Sequence, residues 1–190
     1  MFEGALFSYE THPRDLTESA IYQVETLLGN LASIIPDSEK AKLIPRPGGI
    51  NGYILLDLRE CLQKLNFDAR LEIRAKFIEF IKKAFDEGAL LSILKVRILD
   101  FIVPLDLEKI VDAAKYLAPK IKGTWKLEPR TRKLIDRMEL IKKVAEVIDE
   151  PVDLQNPRFS LNVEVLSNDL VAVYLVDNTR EHESIIKPGY

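Results

Sequence analysis

The sequence predicts an α/β protein built from two successive domains. Three observations point there. Hydrophobic periodicity over residues 1–104 alternates between the strand and helix repeats in the order β-α-β-β-α-β. Residues 105 to about 178 continue as helix, strand, helix and two closing strands. The composition, 47% hydrophobic and 30% charged over 190 residues, is that of a folded chain long enough for one large or two small cores.

In the first half, Ala5–Tyr9 reads as a strand. Thr17 stands as the N-cap of a helix whose apolar positions are Ala20, Ile21, Val24, Leu27 and Leu28, ending at Gly29. A second strand spans 41–45. Pro47-Gly48-Gly49 and Asn51-Gly52 punctuate a hairpin into Tyr53–Leu58. Residues 71–85 carry Leu71, Ile73, Phe77, Ile78, Phe80, Ile81 and Phe85 at helical spacing, and Gly88 ends that run. One strand, Ile93–Val103, closes the unit before Pro104. This order is that of the ferredoxin-like split βαβ unit.

In the second half, Asp106 caps a helix with Ile110, Val111, Ala114 and Leu117 inward. Thr124–Glu128 is a short strand. A helix over 134–148 points Leu134, Met138, Ile141, Ala145 and Ile148 inward. Ser160–Val165 and Val171–Val176 form the last strands, with Asn168-Asp169 turning between them. Asp177–Tyr190 reads as a polar, loosely ordered tail.

Composition narrows the function classes. No apolar run reaches the roughly 20 residues that span a bilayer, and the N-terminus lacks the basic and apolar regions of a secretory signal. The single Cys61 can form no internal disulfide and reads as a buried thiol, so a reducing, cytoplasmic setting is expected. Few Cys, Met and His beside abundant Ile, Leu, Glu, Lys and Arg suggest a thermophilic source. There is no Gly-x-Gly-x-x-Gly, P-loop, Cys-x-x-Cys or His-Glu-x-x-His. His12 and His182 lie at opposite ends of the chain and read as solvated loop residues. Pro47–Gly52 follows a strand but opens no helix, so it lacks anion-binding geometry. No catalytic residues, metal ligands or cofactor are expected.

Charge is the informative feature. The net charge of -3 is unevenly spread: residues 1–119 carry -3, residues 120–143 carry +6 and residues 144–190 carry -6. A localised basic block steers a polyanion better than a diffuse one. On the short strand, Trp125 and Leu127 point opposite to Lys126. Phosphates need fixed positive charge within reach, and arginine supplies bidentate donors. The candidate nucleic-acid-binding residues are Lys122, Lys126, Arg130, Arg132, Lys133, Arg137 and Lys143, read as one contiguous, exposed surface whose arginines can be removed without loss of folding. The bland alternative is a solvated charged face. Trp125 has two readings as well: a core residue, or an exposed platform for a base.

The order of these features matters. A helix after Pro104-Leu105-Asp106 leads to Gly123-Thr124-Trp125-Lys126-Leu127-Glu128-Pro129-Arg130-Thr131-Arg132 and then to a second helix. Pro151-Val152-Asp153-Leu154-Gln155-Asn156-Pro157 and the alternating strand Leu161-Asn162-Val163-Glu164-Val165 follow. This resembles the THUMP family of tRNA-modification proteins. Its signature of Val-Asp-Leu, Asn-Pro and an alternating strand stands at 152–165, and its basic strand with an Arg-rich loop stands at 123–132. The resemblance covers about residues 105–176, and more weakly the part before, because THUMP domains usually follow an N-terminal ferredoxin-like domain. Asp153 and Asn156-Pro157 read as structural, fixing the turn before the last strands.

The resemblance implies a ferredoxin-like domain over 1–104, a THUMP α/β domain over 105–178 and a polar tail over 179–190. It implies a tRNA-binding function, with the acceptor end of tRNA held at the basic cluster. Most THUMP proteins continue into a methyltransferase, thiouridine synthetase, pseudouridine synthase or deaminase domain, whereas this sequence stops about 15 residues after its THUMP strands. It therefore looks most like the stand-alone adaptor that presents tRNA to a separate cytidine N4-acetyltransferase. A detached RNA-binding subunit of a tRNA thiolase or methyltransferase is the alternative. An enzyme with unrecognised carboxylate chemistry is a third reading.

Overall fold

The first sheet is assembled from β1 (Gly4–Tyr9), β2 (Lys42–Pro45), β3 (Tyr53–Asp57), β4 (Ile93–Leu99) and β9 (Ile185–Ile186) in the order β2-β3-β1-β4-β9. The computed structural model describes residues 1–189; Tyr190, the end of the expected tail, lies outside the described residues. β1 pairs antiparallel with β3, from Gly4 opposite Asp57 to Ser8 opposite Tyr53, and with β4 on its other side. Helices α1 (Thr17–Leu28) and α3 (Phe67–Asp86) supply the crossovers, and the one-turn helix α2 (Arg59–Leu62) follows β3. The β-α-β-β-α-β order with β1 between β3 and β4 is the split βαβ arrangement that the periodicity predicts. Alternate residues of the central strands, such as Ala5, Phe7, Ile54, Leu56, Val96 and Ile98, pack with Val24, Phe77 and Ile81 of the helices into one core.

Local chemistry moves several boundaries. Thr17 is the first residue of α1 and not its cap: Leu16 holds the cap position without a side-chain bond, and the Asp15 carboxylate accepts from the Thr17 backbone N–H at 3.0 Å and from the Thr17 hydroxyl, while Thr17 itself is buried. α3 starts four residues before the predicted Leu71, because the Asn66 side chain caps it through the Ala69 N–H. Cys61 is buried, and desolvation pushes its thiol up.

The predicted single strand Ile93–Val103 is two strands. It breaks at Asp100, whose buried carboxylate accepts the Leu175 backbone N–H at 2.8 Å. β5 (Phe101–Val103) then joins a second sheet, in the order β5-β8-β7-β6, with β6 (Trp125–Arg130), β7 (Phe159–Val165) and β8 (Val171–Asp177). The compact units are accordingly Met1–Leu99 with the segment from Ile185 on, and Asp100–Ser184. This corrects the predicted boundary at 104 and the loosely ordered tail. Ile185 and Ile186 pair with Arg97 and Val96 of β4, and Ile186 is fully buried.

In the second unit, α4 (Leu107–Leu117) is capped as predicted by Asp106, which accepts from Glu108 N–H at 2.8 Å. α5 (Arg137–Ala145) begins three residues after the predicted Leu134, capped by Asp136. Its buried face is Leu140 and Val144, continued by Ile148, rather than Leu134, Met138, Ile141 and Ala145. Leu134 is 46% and Met138 71% exposed. β6 and β7 are parallel, joined through α5, and α4 and α5 cover the face that carries Trp125, Leu161 and Val163.

Candidate nucleic-acid interface

β6 alternates as its sequence requires. Trp125 and Leu127 join the core, which leaves Lys126, Glu128 and Arg130 on the opposite face. Trp125 is 2% exposed, and its indole N–H donates to the Glu150 carbonyl at 2.8 Å, so the core reading holds. The loop that bears the signature runs alongside: Trp125 N–H donates to Pro151 O at 3.0 Å, and Asp153 N–H returns a bond to Trp125 O at 2.9 Å. Asp153 caps its own turn, accepting from Gln155 and Asn156 N–H at 3.0 Å each. Those bonds, to Asn156 and then Gln155, hold its carboxyl below the ordinary carboxylate range.

Beyond Arg130 the chain turns sharply. Leu134 N–H donates to Thr131 O at 2.9 Å, and the two central residues, Arg132 and Lys133, have φ of 50° and 60°. Two side-chain-bearing residues in the left-handed region are uncommon and cost about 1 kcal/mol or more each. Arg132 and Lys133 are both exposed. Arg132 Nε donates to Val165 O at 2.9 Å. Arg137, the first residue of α5, donates from Nη1 to Pro129 O at 3.3 Å. Arg130, Arg132, Lys133 and Arg137 are thus gathered where β6 and β7 end.

The other three predicted residues sit elsewhere in the unit. Lys122 precedes β6 at its opposite end, in a recess with Lys115, Asp149 and Glu150. Lys126 is ion-paired with Glu128 on the same strand face. Lys143 is in the last turn of α5, 3.8 Å from Glu146, and lines a recess with Asp106, the cap of α4, and Glu108 and Asp112 within it. In the first unit, Lys42 and Arg59 line a recess of about 360 Å³ but are committed to Glu60 at 2.6 Å and Asp57 at 2.8 Å.

Sequence reasoning missed Glu164 and Arg158. Glu164 lies directly opposite Arg130 in the β6–β7 register and is 1% exposed. Its Oε2 is 3.6 Å from Arg130 Nη1, and its Oε1 is 3.7 Å from Arg132 Nη2. Neither oxygen accepts a hydrogen bond among the described residues. The alternation of Leu161 to Val165 marks Glu164 as facing away from the core, but one strand cannot reveal that this second face is buried too. The arginines are therefore not interchangeable surface charges. Removing both would leave a buried carboxylate uncompensated, a cost that a reading of the arginines as exposed charges leaves out. Arg158, directly before β7, lies over the Phe159 ring at 5.2 Å and 3.7 Å from Asp177, and its backbone N–H donates to Thr124 Oγ1 at 3.0 Å. Its position directly before a strand aromatic was the available signal.

No protein-family model matches this chain, and no curated protein matches it. Solved structures do, and they define a class of fold before any particular relative. The chain is similar to PH1313 from Pyrococcus horikoshii Ot3, with a TM-score of 0.53 and 16% identity over 92% of this chain and 55% of that one. It is also similar to a 4-thiouridine synthetase solved as an RNA complex with bound ATP, with a TM-score of 0.56 and 17% identity over 93% of this chain and 42% of that one. At these identities the likeness is one of fold, and the chain spans about half the length of the structures it matches. The two-sheet α/β fold that the sequence predicts is thus one that solved proteins share.

Proposed function

We propose that this chain is a THUMP-type tRNA-binding protein that presents tRNA to a separate modifying enzyme, a cytidine N4-acetyltransferase, and has no catalytic centre of its own. The observation that carries this reading is the gathering of Arg130, Arg132, Lys133 and Arg137 on one strand end, one tight turn and one helix start. Rigid elements hold the charges at fixed spacing, which suits a phosphate backbone better than a flexible basic tail would. The family signature at 152–165 supports the THUMP assignment, as does a fold shared with a synthetase bound to RNA. Recognition then depends on the shape and single-stranded end of the RNA, through phosphates more than bases.

The acetylation partner rests on the sequence resemblance. The likeness to a 4-thiouridine synthetase favours a second reading, a detached RNA-binding subunit of a thiolase. Nucleoside analysis of total tRNA from cells lacking the protein separates the two. Loss of N4-acetylcytidine supports the adaptor, loss of a thiolated nucleoside supports the alternative, and an unchanged nucleoside profile contradicts both.

A further inference from the structure

A carboxylate buried to 1% exposure beside two half-exposed arginines needs a reason. Burial of an ion is costly unless charge and hydrogen bonds compensate it. Glu164 has the charge but not the bonds: the two guanidinium groups stand at 3.6 and 3.7 Å, and both oxygens lack hydrogen-bond donors among the described residues. The strand register puts Glu164 directly across from Arg130, and Arg132 is fixed at its Nε by Val165 O on the next residue of the same strand. Each arginine turns one guanidinium nitrogen towards Glu164, and the side chains retain 50% and 35% exposure.

We propose that Glu164 is a positioning residue for polyanion binding, holding the inner edges of Arg130 and Arg132 so that their outer N–H edges face an RNA phosphate. This rests on the RNA-binding reading above. Charge balance supports it. Two guanidinium groups and one carboxylate leave one positive charge, which a single phosphodiester neutralises. A planar guanidinium can serve two acceptors at once, one on each edge. The carboxylate thus reduces the entropy lost when the arginines engage a phosphate, as preorganisation generally does.

The test turns on a sign. Glu164→Gln removes a negative charge beside the arginines, so plain electrostatics predicts tighter tRNA binding. Positioning predicts weaker binding, by about 5–10-fold, the effect of losing one preorganised charge-assisted contact. The full-length chain is titrated with an unmodified tRNA transcript, and guanidinium rotation of Arg130 and Arg132 is followed by nitrogen NMR without RNA. The expected result is slow rotation in the native chain, fast rotation in Glu164→Gln, and weaker binding despite the gained positive charge. Unchanged rotation, or equal or tighter binding, overturns the proposal. If rotation is freed while tRNA binding ignores the arginines as well, it is the RNA reading that falls, and the proposal with it. Should Glu164→Gln not fold, Glu164→Asp keeps the charge and withdraws it by about 1.5 Å, one carbon–carbon bond. Its binding should also weaken, and native affinity in the folded Asp variant overturns the proposal.

Discussion

Trp125 sits at the hinge between two readings of the same residue, core filler or stacking platform, and its environment separates them. The side chain is 2% exposed among Leu140, Val144 and Phe159, and its one polar atom is satisfied by Glu150 O. Trp125→Ala should therefore lose about 3–5 kcal/mol of stability, the range for removing a buried aromatic. Chemical denaturation of the variant measures this. A native midpoint combined with weakened RNA binding would return Trp125 to the RNA face. Glu164 and Trp125 lie on opposite faces of the same sheet, yet only the tryptophan was legible in the sequence. Aromatic burial next to an apolar helix is a strong prior. A carboxylate at an outward-alternating position has solvent as its prior, and what covers the second face of a sheet is a long-range fact that no local pattern encodes.

At the scale of elements, strand and helix identities were legible, while their ends and phases were set by side-chain hydrogen bonds that the periodicity does not contain. Asp106 announced α4 correctly because it directly precedes an apolar run. α5 was misphased, although Ile148 was placed inward correctly, because Leu134-Met138-Ile141-Ala145 and Leu140-Val144 interleave in it, and only the position of the Asp136 cap selects the second. The strand predicted at Ile93–Val103 alternates in part and already carries Lys95 and Arg97, so a further charge at Asp100 does not by itself mark a break. The tail was misjudged for a related reason: two isoleucines in a polar stretch are too short a run to read as a strand. Their pairing with β4 makes a prediction. Ile186→Ala should cost about 2–4 kcal/mol, as for a fully buried large aliphatic residue cut to alanine. Thermal or denaturant unfolding checks it, and a cost near zero would restore the loosely ordered tail.

Across the whole molecule, an acidic chain of net charge -3 carries a +6 segment, and folding concentrates part of that segment further. Four cations gather at the end of β6 and β7, while Lys122, Lys126 and Lys143 each lie beside acidic groups. The central claim is that the gathered group holds RNA phosphates. Replacing the arginines alone would confound the test, because the stranded Glu164 carboxylate would destabilise the fold by about 1–3 kcal/mol or more. Changing both sides of the cluster avoids stranding a buried charge, which costs more than a buried neutral amide. The most direct measurement is tRNA affinity across a salt series for the native chain and for Arg130→Gln/Arg132→Gln/Glu164→Gln, with folding verified for both. The account predicts steep salt weakening of the native chain, with a log–log slope of about -0.7 to -0.9 per neutralised phosphate. It predicts lower affinity for the variant across different tRNAs, with the slope flattened by about 1–2. Native affinity and an unchanged slope in a folded variant would contradict it.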